Sequence, residues 1–327
     1  MPVQTEAPQE IPMNSAKKAY ELRKLPNGLE VFLIPKLEVP IVTILVAAKN
    51  GAYTEPPDYN GLSHLYEHMF FKANQKMTSQ SAFVAGLDDI GVEIGSHMNA
   101  YTSTESVRYF YTVQSRYAER GIEFMADALI APAFLQDELE KERKVVLDEF
   151  SRFESSPQQV FYQMDLMKRL FTQNFTRKNT IGTRPVIENA SQEQMRTIQN
   201  RYYIPNNTAL FIVGSFDNDK MIAAVEKYFG PWKMGPNPFE SFPIPEHPPL
   251  TQTDTFSREA EVQTVSVVKA FHGPSMVKDN AGIIAFDLIG QMLSFETSPF
   301  QKELVDTGIA ASASFSTWSQ RYTSPLY

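Results

Sequence analysis

Seven of the chain's 22 prolines fall between Pro231 and Pro249. Proline lacks an amide hydrogen and its ring clashes with the preceding turn, so neither a helix interior nor a central strand can run through such a stretch. The chain must therefore resolve into a unit before it and a unit after it. At 327 residues it is long enough for about two domains, and 43% apolar residues can fill a core in each. The sequence predicts a flexible tail over residues 1–24, a first domain over 25–230, a proline-rich linker over 231–250 and a second domain over 251–327.

The first unit opens with strands. The turn signal LPNG precedes two β-rich runs, LEVFLIPK (29–36) and IVTILVAAKNGAY (41–53). TSQSAFVAGLDDIG predicts a helix capped by Thr78 or Ser79 and stopped at Gly91, and SVRYFYTVQ (106–114) alternates like a strand. RYAERGIEFMADALI and QDELEKERKVVLDEFSRFE (136–154) follow as helices. NTALFIVGSF (207–216) then reads as a buried strand and NDKMIAAVEKYFG as an amphipathic helix closed by Gly230. Beyond the prolines, EVQTVSVVKAFHG, DNAGIIAFDLIGQML, SPFQKELVDTG and IAASASFSTWS repeat the opening strand-and-helix pattern weakly, as a second domain that is small or cut short would.

Charge and composition narrow the chemistry. With 38 Asp and Glu against 30 Lys and Arg, the formal charge is -8. That argues against nucleic acid or an anionic membrane as partner, because either rewards a basic surface. No apolar run approaches the roughly 20 residues that span a bilayer, and MPVQTEAPQEIPMNSAKK lacks the apolar core of a secretory signal, so membrane insertion is not expected. The polar, proline-containing start suits the mature terminus of an exported, periplasmic chain whose signal has been removed; the cytoplasm is the alternative. Cysteine is absent, which excludes disulfides, thiolate zinc sites and cysteine nucleophiles and leaves His, Asp and Glu to hold any metal.

GLSHLYEHMFF (61–71) contains two of the chain's five histidines. On a helix, His64 and His68 are one turn apart on one face, so both imidazoles can serve one ion, and Glu67 lies beside that face. Zinc held by three protein ligands keeps a fourth position for water, and a nearby carboxylate can take the proton as water attacks a carbonyl. Asn60 is the expected N-cap, and Leu62, Leu65, Met69 and Phe70 are the expected core contacts. Without a third ligand the pair is two ordinary histidines, one packed and one solvated. In ELEKERKVVLDEF, Glu142 and Glu149 are seven residues apart and share a helix face across Val145 and Val146. Glu138, Glu140 and Asp148 compete with them, and spacing alone leaves the choice open.

H-L-Y-E-H at 64–68 matches the His-x-x-Glu-His motif of the inverted zinc peptidases, and the chain resembles that family, which includes pitrilysin, insulin-degrading enzyme and mitochondrial processing peptidase. GLSHLYEHMFFKAN, NAYTSTESVRYFYTV, KERKVVLDEFSRFESSP and YYIPNNTALFIVGSF…EKYFGPW look like its sequence blocks, in its order. The resemblance implies that His64, His68 and Glu149 ligate one zinc (Zn2+) per chain, that Glu67 is the general base and that Glu142 supports the catalytic site from behind the ligands. It also implies that Asn99 and Ala100 meet substrate backbone beside the zinc, as a strand added to a sheet edge. His97 is read as non-ligating, because a fourth protein ligand would displace the water.

The chain departs from the family pattern in two places. The interval from His68 to Glu149 is a few residues longer than usual, with the excess in DIGVEIGSHMN, where it would reshape the cleft rather than the metal site. Relatives that work alone carry an Arg and a Tyr in an L-R-x-x-x-G-x-x-Y-like stretch of the second domain; here ELVDTGIAAS places Val305 and Ala311 there. Neither aliphatic side chain can donate a hydrogen bond to a developing oxyanion. The resemblance therefore implies a zinc-dependent endopeptidase, or its zinc-bearing subunit, that acts on extended peptides together with a homologous partner subunit supplying the Arg and Tyr. The alternative is a non-catalytic structural or binding member of the same fold. The expected fold is α+β, with two related domains, each a mostly antiparallel sheet covered by helices on one face, the second incomplete.

Overall fold

The computed structural model describes residues 20–327; the first nineteen, most of the expected tail, lie outside the described residues. Among the described residues one six-stranded sheet forms from β1 (Glu21–Lys24), β2 (Glu30–Pro35), β3 (Ile41–Ala48), β4 (Met98–Thr102), β5 (Val107–Gln114) and β6 (Thr208–Gly214). The order across it is β1-β2-β6-β3-β5-β4. β2 and β6 pair in parallel, and the remaining pairs are antiparallel. Because side chains alternate along a strand, one face buries Val31, Leu33, Val42, Ile44, Val46, Tyr109, Tyr111, Leu210 and Ile212. The other is half-exposed, with Phe32 stacked on Phe211 and Thr43 bonded to Thr112. The tail is shorter than expected: Glu21–Lys24 already pairs with β2, since Gly28, at φ +88, lets LPNG close a hairpin.

Helices α1 (Leu62–Phe70) and α2 (Gln80–Asp88) lie between β3 and β4, and α3 (Ala118–Ile130) and α4 (Gln136–Glu154) follow β5. α1 packs on α4, β4 and β5. Leu62, Leu65, Met69 and Phe70 are all buried, and Phe70 stacks on Tyr109 with ring centroids 4.0 Å apart. Nine residues make a marginal helix alone, whereas burying each such side chain contributes about 1.5–3 kcal/mol. Packing therefore holds α1 in place. Its start differs from expectation, because the N-cap is Gly61, at φ +95, and not Asn60. A Cβ on Gly61 would lie 2.7 Å from the Gly182 Cα, so no larger residue fits. Asn60 instead donates from Nδ2 to the carbonyls of Thr176 and Asn179, both at 2.9 Å.

The proline-rich stretch is laid along the first sheet-and-helix unit. Trp232 is buried in that unit's core, Asn27 Nδ2 donates to the Trp232 carbonyl at 2.9 Å, and Phe239 packs near Tyr53 and Tyr202. Apart from the helical turn Pro238–Ser241, residues 231–250 have no regular structure. Beyond them the expected second, incomplete sheet is reduced among the described residues to two short strands. Of EVQTVSVVKAFHG, Phe271–His272 alone forms a ladder, with Pro325–Leu326, while Val265 and Val267 are 87% and 88% exposed. IAASASFSTWS is likewise coil but for a bridge at Thr317. Alternation permits a strand but does not make one, because the backbone needs partners to receive its hydrogen bonds, and here they are few and scattered: Ser316 pairs with Tyr327, the Trp318 N–H donates to the Pro325 carbonyl at 3.1 Å and the Gly273 N–H to the Ser324 carbonyl at 2.6 Å. The helix Asn280–Ser294 does form. This half rests on Leu166, Met167, Leu170 and Phe171, against which Phe256, Val268, Ala270 and Tyr327 pack.

Candidate metal centre

One helical turn of α1 sets His64 and His68 edge to face, with ring centroids 4.8 Å apart and Nε2 atoms 3.3 Å apart. From α4, Glu149 brings Oε2 to 3.5 Å from His64 Nε2 and 3.8 Å from His68 Nε2. Among the described residues this is the one cluster of His, Asp and Glu able to hold a metal ion. Ligand atoms 2.0–2.1 Å from a tetrahedral zinc stand about 3.4 Å from one another, close to the separations found here. Two imidazole nitrogens and a carboxylate oxygen are also donors that zinc accepts. The residues fit the ion.

Electrostatics act in opposite directions on the two rings. Burial, with the neighbouring His68 adding to it, pushes His64 down to about 3, so the ring is neutral near pH 7. Its Nδ1 is buried and finds no partner among the described residues. Burial also acts to lower His68, but its hydrogen bond to Glu142 and the charges of Glu149 and Glu67 outweigh that and hold it above the usual range. His68 Nδ1 donates to Glu142 Oε2 at 3.1 Å, which leaves Nε2 facing His64 and Glu149. The second Glu142 oxygen meets Lys72 Nζ at 2.6 Å. Although burial works against its charge, His68 and Lys72 hold the Glu142 carboxyl below its ordinary value.

Glu67 points past the ligand cluster to the sheet, where the Thr102 hydroxyl of β4 donates to its Oε2. Burial raises the Glu67 pKa against that hydrogen bond and the pull of His68, which brings the carboxylate nearer the range of a useful base. Of the other acids, Glu140 and Asp148 are exposed. Glu138 accepts from the backbone of Ala73 at 3.1 Å and Gln80 at 3.2 Å, fixing the turn between α1 and α2.

Asn99 and Ala100 lie on β4, the sheet's outermost strand. Asn99 Oδ1 accepts from the Ala100 N–H at 2.8 Å, so that donor is not spent on β5. His97 is exposed just ahead of the strand. Val305 lies in the π-helical turn Lys302–Asp306, and Ala311 in exposed coil. Sequence reasoning missed Lys72 and Thr102. Each had a spacing signal: Lys72 stands four residues after His68, just past the end of α1, and Thr102 two after Ala100, on the same strand face.

The model of the insulinase family, peptidase family M16, matches residues 31–184, and a model described as the M16 inactive domain matches 189–326. The junction at 184–189 precedes β6, so the second match contributes a strand to the first sheet. An uncharacterized zinc protease of Rickettsia felis is 28% identical over 219 residues, covering 67% of this chain and 52% of the relative. The Bacillus subtilis zinc protease YmxG, also uncharacterized, is 27% identical over 288 residues, 88% of this chain and 67% of its own length. A probable mitochondrial-processing peptidase subunit beta of Arabidopsis thaliana is 24% identical, covering 77% of this chain and 46% of the relative. The chain thus spans about half to two-thirds of the length of these relatives. Among solved structures, a Helicobacter pylori protease superposes with a TM-score of 0.74 at 23% identity, over 94% of this chain and 73% of its own. Pitrilysin does so at 0.73 and 16%, over 96% and 34%. At these identities the structures speak for the fold alone.

Proposed function

Since the chain belongs to the insulinase family of peptidases, family M16, we propose that it is a zinc-dependent endopeptidase, or the zinc-bearing subunit of one, that hydrolyses peptides bound in extended form. The observation that carries this reading is the junction of metal ligands, base and strand edge: His64, His68 and Glu149 converge, and Glu67 beside them is tied to the edge strand by Thr102. Zinc held there would act as a Lewis acid toward water and the scissile carbonyl. Glu67 takes the proton and passes it to the leaving amine, with Thr102 fixing its carboxylate. Glu142, braced by Lys72, keeps His68 presenting Nε2. A peptide strand laid along β4 pairs with backbone around Ala100, so recognition favours extended chains over any one side chain.

The reading includes a second, similar chain. The side chains of Val305 and Ala311 offer no hydrogen-bond donor, and a missing oxyanion donor costs a hundredfold or more in rate, about 3 kcal/mol. Several relatives are named as subunits of a processing peptidase, which supports a paired arrangement. Elemental analysis should find one zinc per chain, and little in His68→Ala. Glu67→Gln should keep the metal yet cleave an unstructured peptide about a hundredfold to ten-thousandfold more slowly. The unsubstituted chain should cleave slowly alone and faster with a homologous chain that bears the Arg and Tyr. Equal zinc in the wild type and His68→Ala overturns the ligand set; full turnover alone overturns the partner. Zinc without cleavage, alone or paired, favours a non-catalytic member.

A further inference from the structure

Helix α1 begins without a cap of its own. Gly61 at the N-cap has no side chain to offer, its Cα is pressed against Gly182, and the N–H groups of a first turn need acceptors when buried. The acceptor comes from outside the helix. Glu55 Oε2 accepts from the Gly61 N–H at 2.8 Å and from Asn60 Nδ2 at 3.3 Å, and Oε1 accepts from the Ser63 N–H at 2.7 Å. Glu55 is 3% exposed, and a buried carboxylate is costly unless such donors surround it. Even so, burial pushes it up to about 7 against the pull of the Gly61 and Ser63 bonds.

The same segment is clamped from its other side. Asn179 Nδ2 donates to Asn60 Oδ1 at 3.0 Å, Thr176 Oγ1 to the Glu55 carbonyl at 3.3 Å, and Arg177 Nη1 to the Tyr53 carbonyl at 2.5 Å. Held between this clamp and the Glu55 carboxylate, the first turn of α1 has little freedom to slide or fray. Ser63, which Glu55 grips, directly precedes His64. We propose that Glu55 is a positioning residue of the metal centre: by fixing where α1 begins, it sets where His64 Nε2 stands relative to Glu149. The proposal rests on reading the chain as a zinc peptidase, and a cap that merely stabilised the fold would leave metal affinity alone.

Competition for zinc against a chromophoric chelator tests it. Glu55→Gln keeps one acceptor oxygen but turns an N–H toward the helix start, and should bind zinc about tenfold to hundredfold more weakly, with altered ligand-field absorption when loaded with cobalt. Asp217→Ala removes the cap of the helix Asn218–Phe229, whose main helical packing partner is α3. It should lose stability to urea and keep wild-type zinc affinity. A further measurement needs no variant: in the metal-free wild type, the Gly61 and Ser63 amides should exchange as slowly as those in the interior of α1. Unchanged affinity and cobalt spectrum in Glu55→Gln, an equal loss in Asp217→Ala, or rapid exchange at both amides would overturn the positioning role while the peptidase reading stands. A wild-type chain that binds no zinc sinks both.

Discussion

Lys72 and Glu142 form a buried ion pair that ends on His68, so a cation outside the proposed ligand set bears on a ring that would hold the metal. Removing one member of such a pair leaves the other's charge uncompensated, at a cost of about 3–5 kcal/mol. Lys72→Met should therefore lower stability to urea by roughly 3 kcal/mol and weaken zinc binding about tenfold to hundredfold; urea unfolding and chelator competition check the two parts. The pairing of His64 with His68 was legible because a helix of known period puts i and i+4 on one face, and Glu67, at i+3, was legible as lying beside it. Glu142 and Glu149 were legible as a pair but not in their roles, since the choice depends on how α4 crosses α1, which spacing along one helix does not encode. Lys72 was illegible for a different reason. A lysine at a helix end ordinarily reaches solvent, and only the approach of α4 turns this one inward.

At the scale of elements, β4 is short, outermost and joined to Glu67, the proposed base, through Thr102. The Ala100 N–H bonds to Asn99 and not to β5, so proline at position 100 should be tolerated by the sheet, as it is on strand edges, while a donor for a bound peptide is lost. Ala100→Pro should raise KM for an extended peptide about tenfold, the worth of one backbone hydrogen bond, with zinc content unchanged; steady-state kinetics and elemental analysis decide. β2, β3, β5, β6 and α1–α4 were readable from periodicity, because each has a buried face and a partner. The apolar alternation around Val265 and Val267 promised a strand on the same grounds and failed for want of a neighbour. The N-terminus of α1 was misread because the contact of Gly61 with Gly182 joins residues far apart in sequence.

Across the whole molecule, a seam of polar contacts joins the first unit to the end of the chain. Lys178 Nζ donates to the Thr323 carbonyl at 2.8 Å and to Gln320, and Glu105 accepts from the Arg321 N–H at 2.6 Å. Burial, opposed by Glu105, pulls Lys178 down to about 8 from 10.5. A group depressed in the folded state adds stability that is fully present above its unfolded value and lost as pH falls through its folded value. The wild type should therefore gain stability relative to Lys178→Met as pH rises from 8 toward 10.5, read as the difference between their urea midpoints; parallel curves would remove Lys178 from the seam's energetics. The sheet itself carries a last consequence. β6, at residues 208–214, lies between β2 and β3, so a strand made late occupies the middle. Such non-local pairing folds slowly, because the loop must close before its contacts form. On a ribosome adding roughly 5–20 residues per second, His64, His68 and Glu149 emerge seconds before the strand that completes the sheet behind α1, and the nascent chain must hold them in an unfinished fold until it arrives.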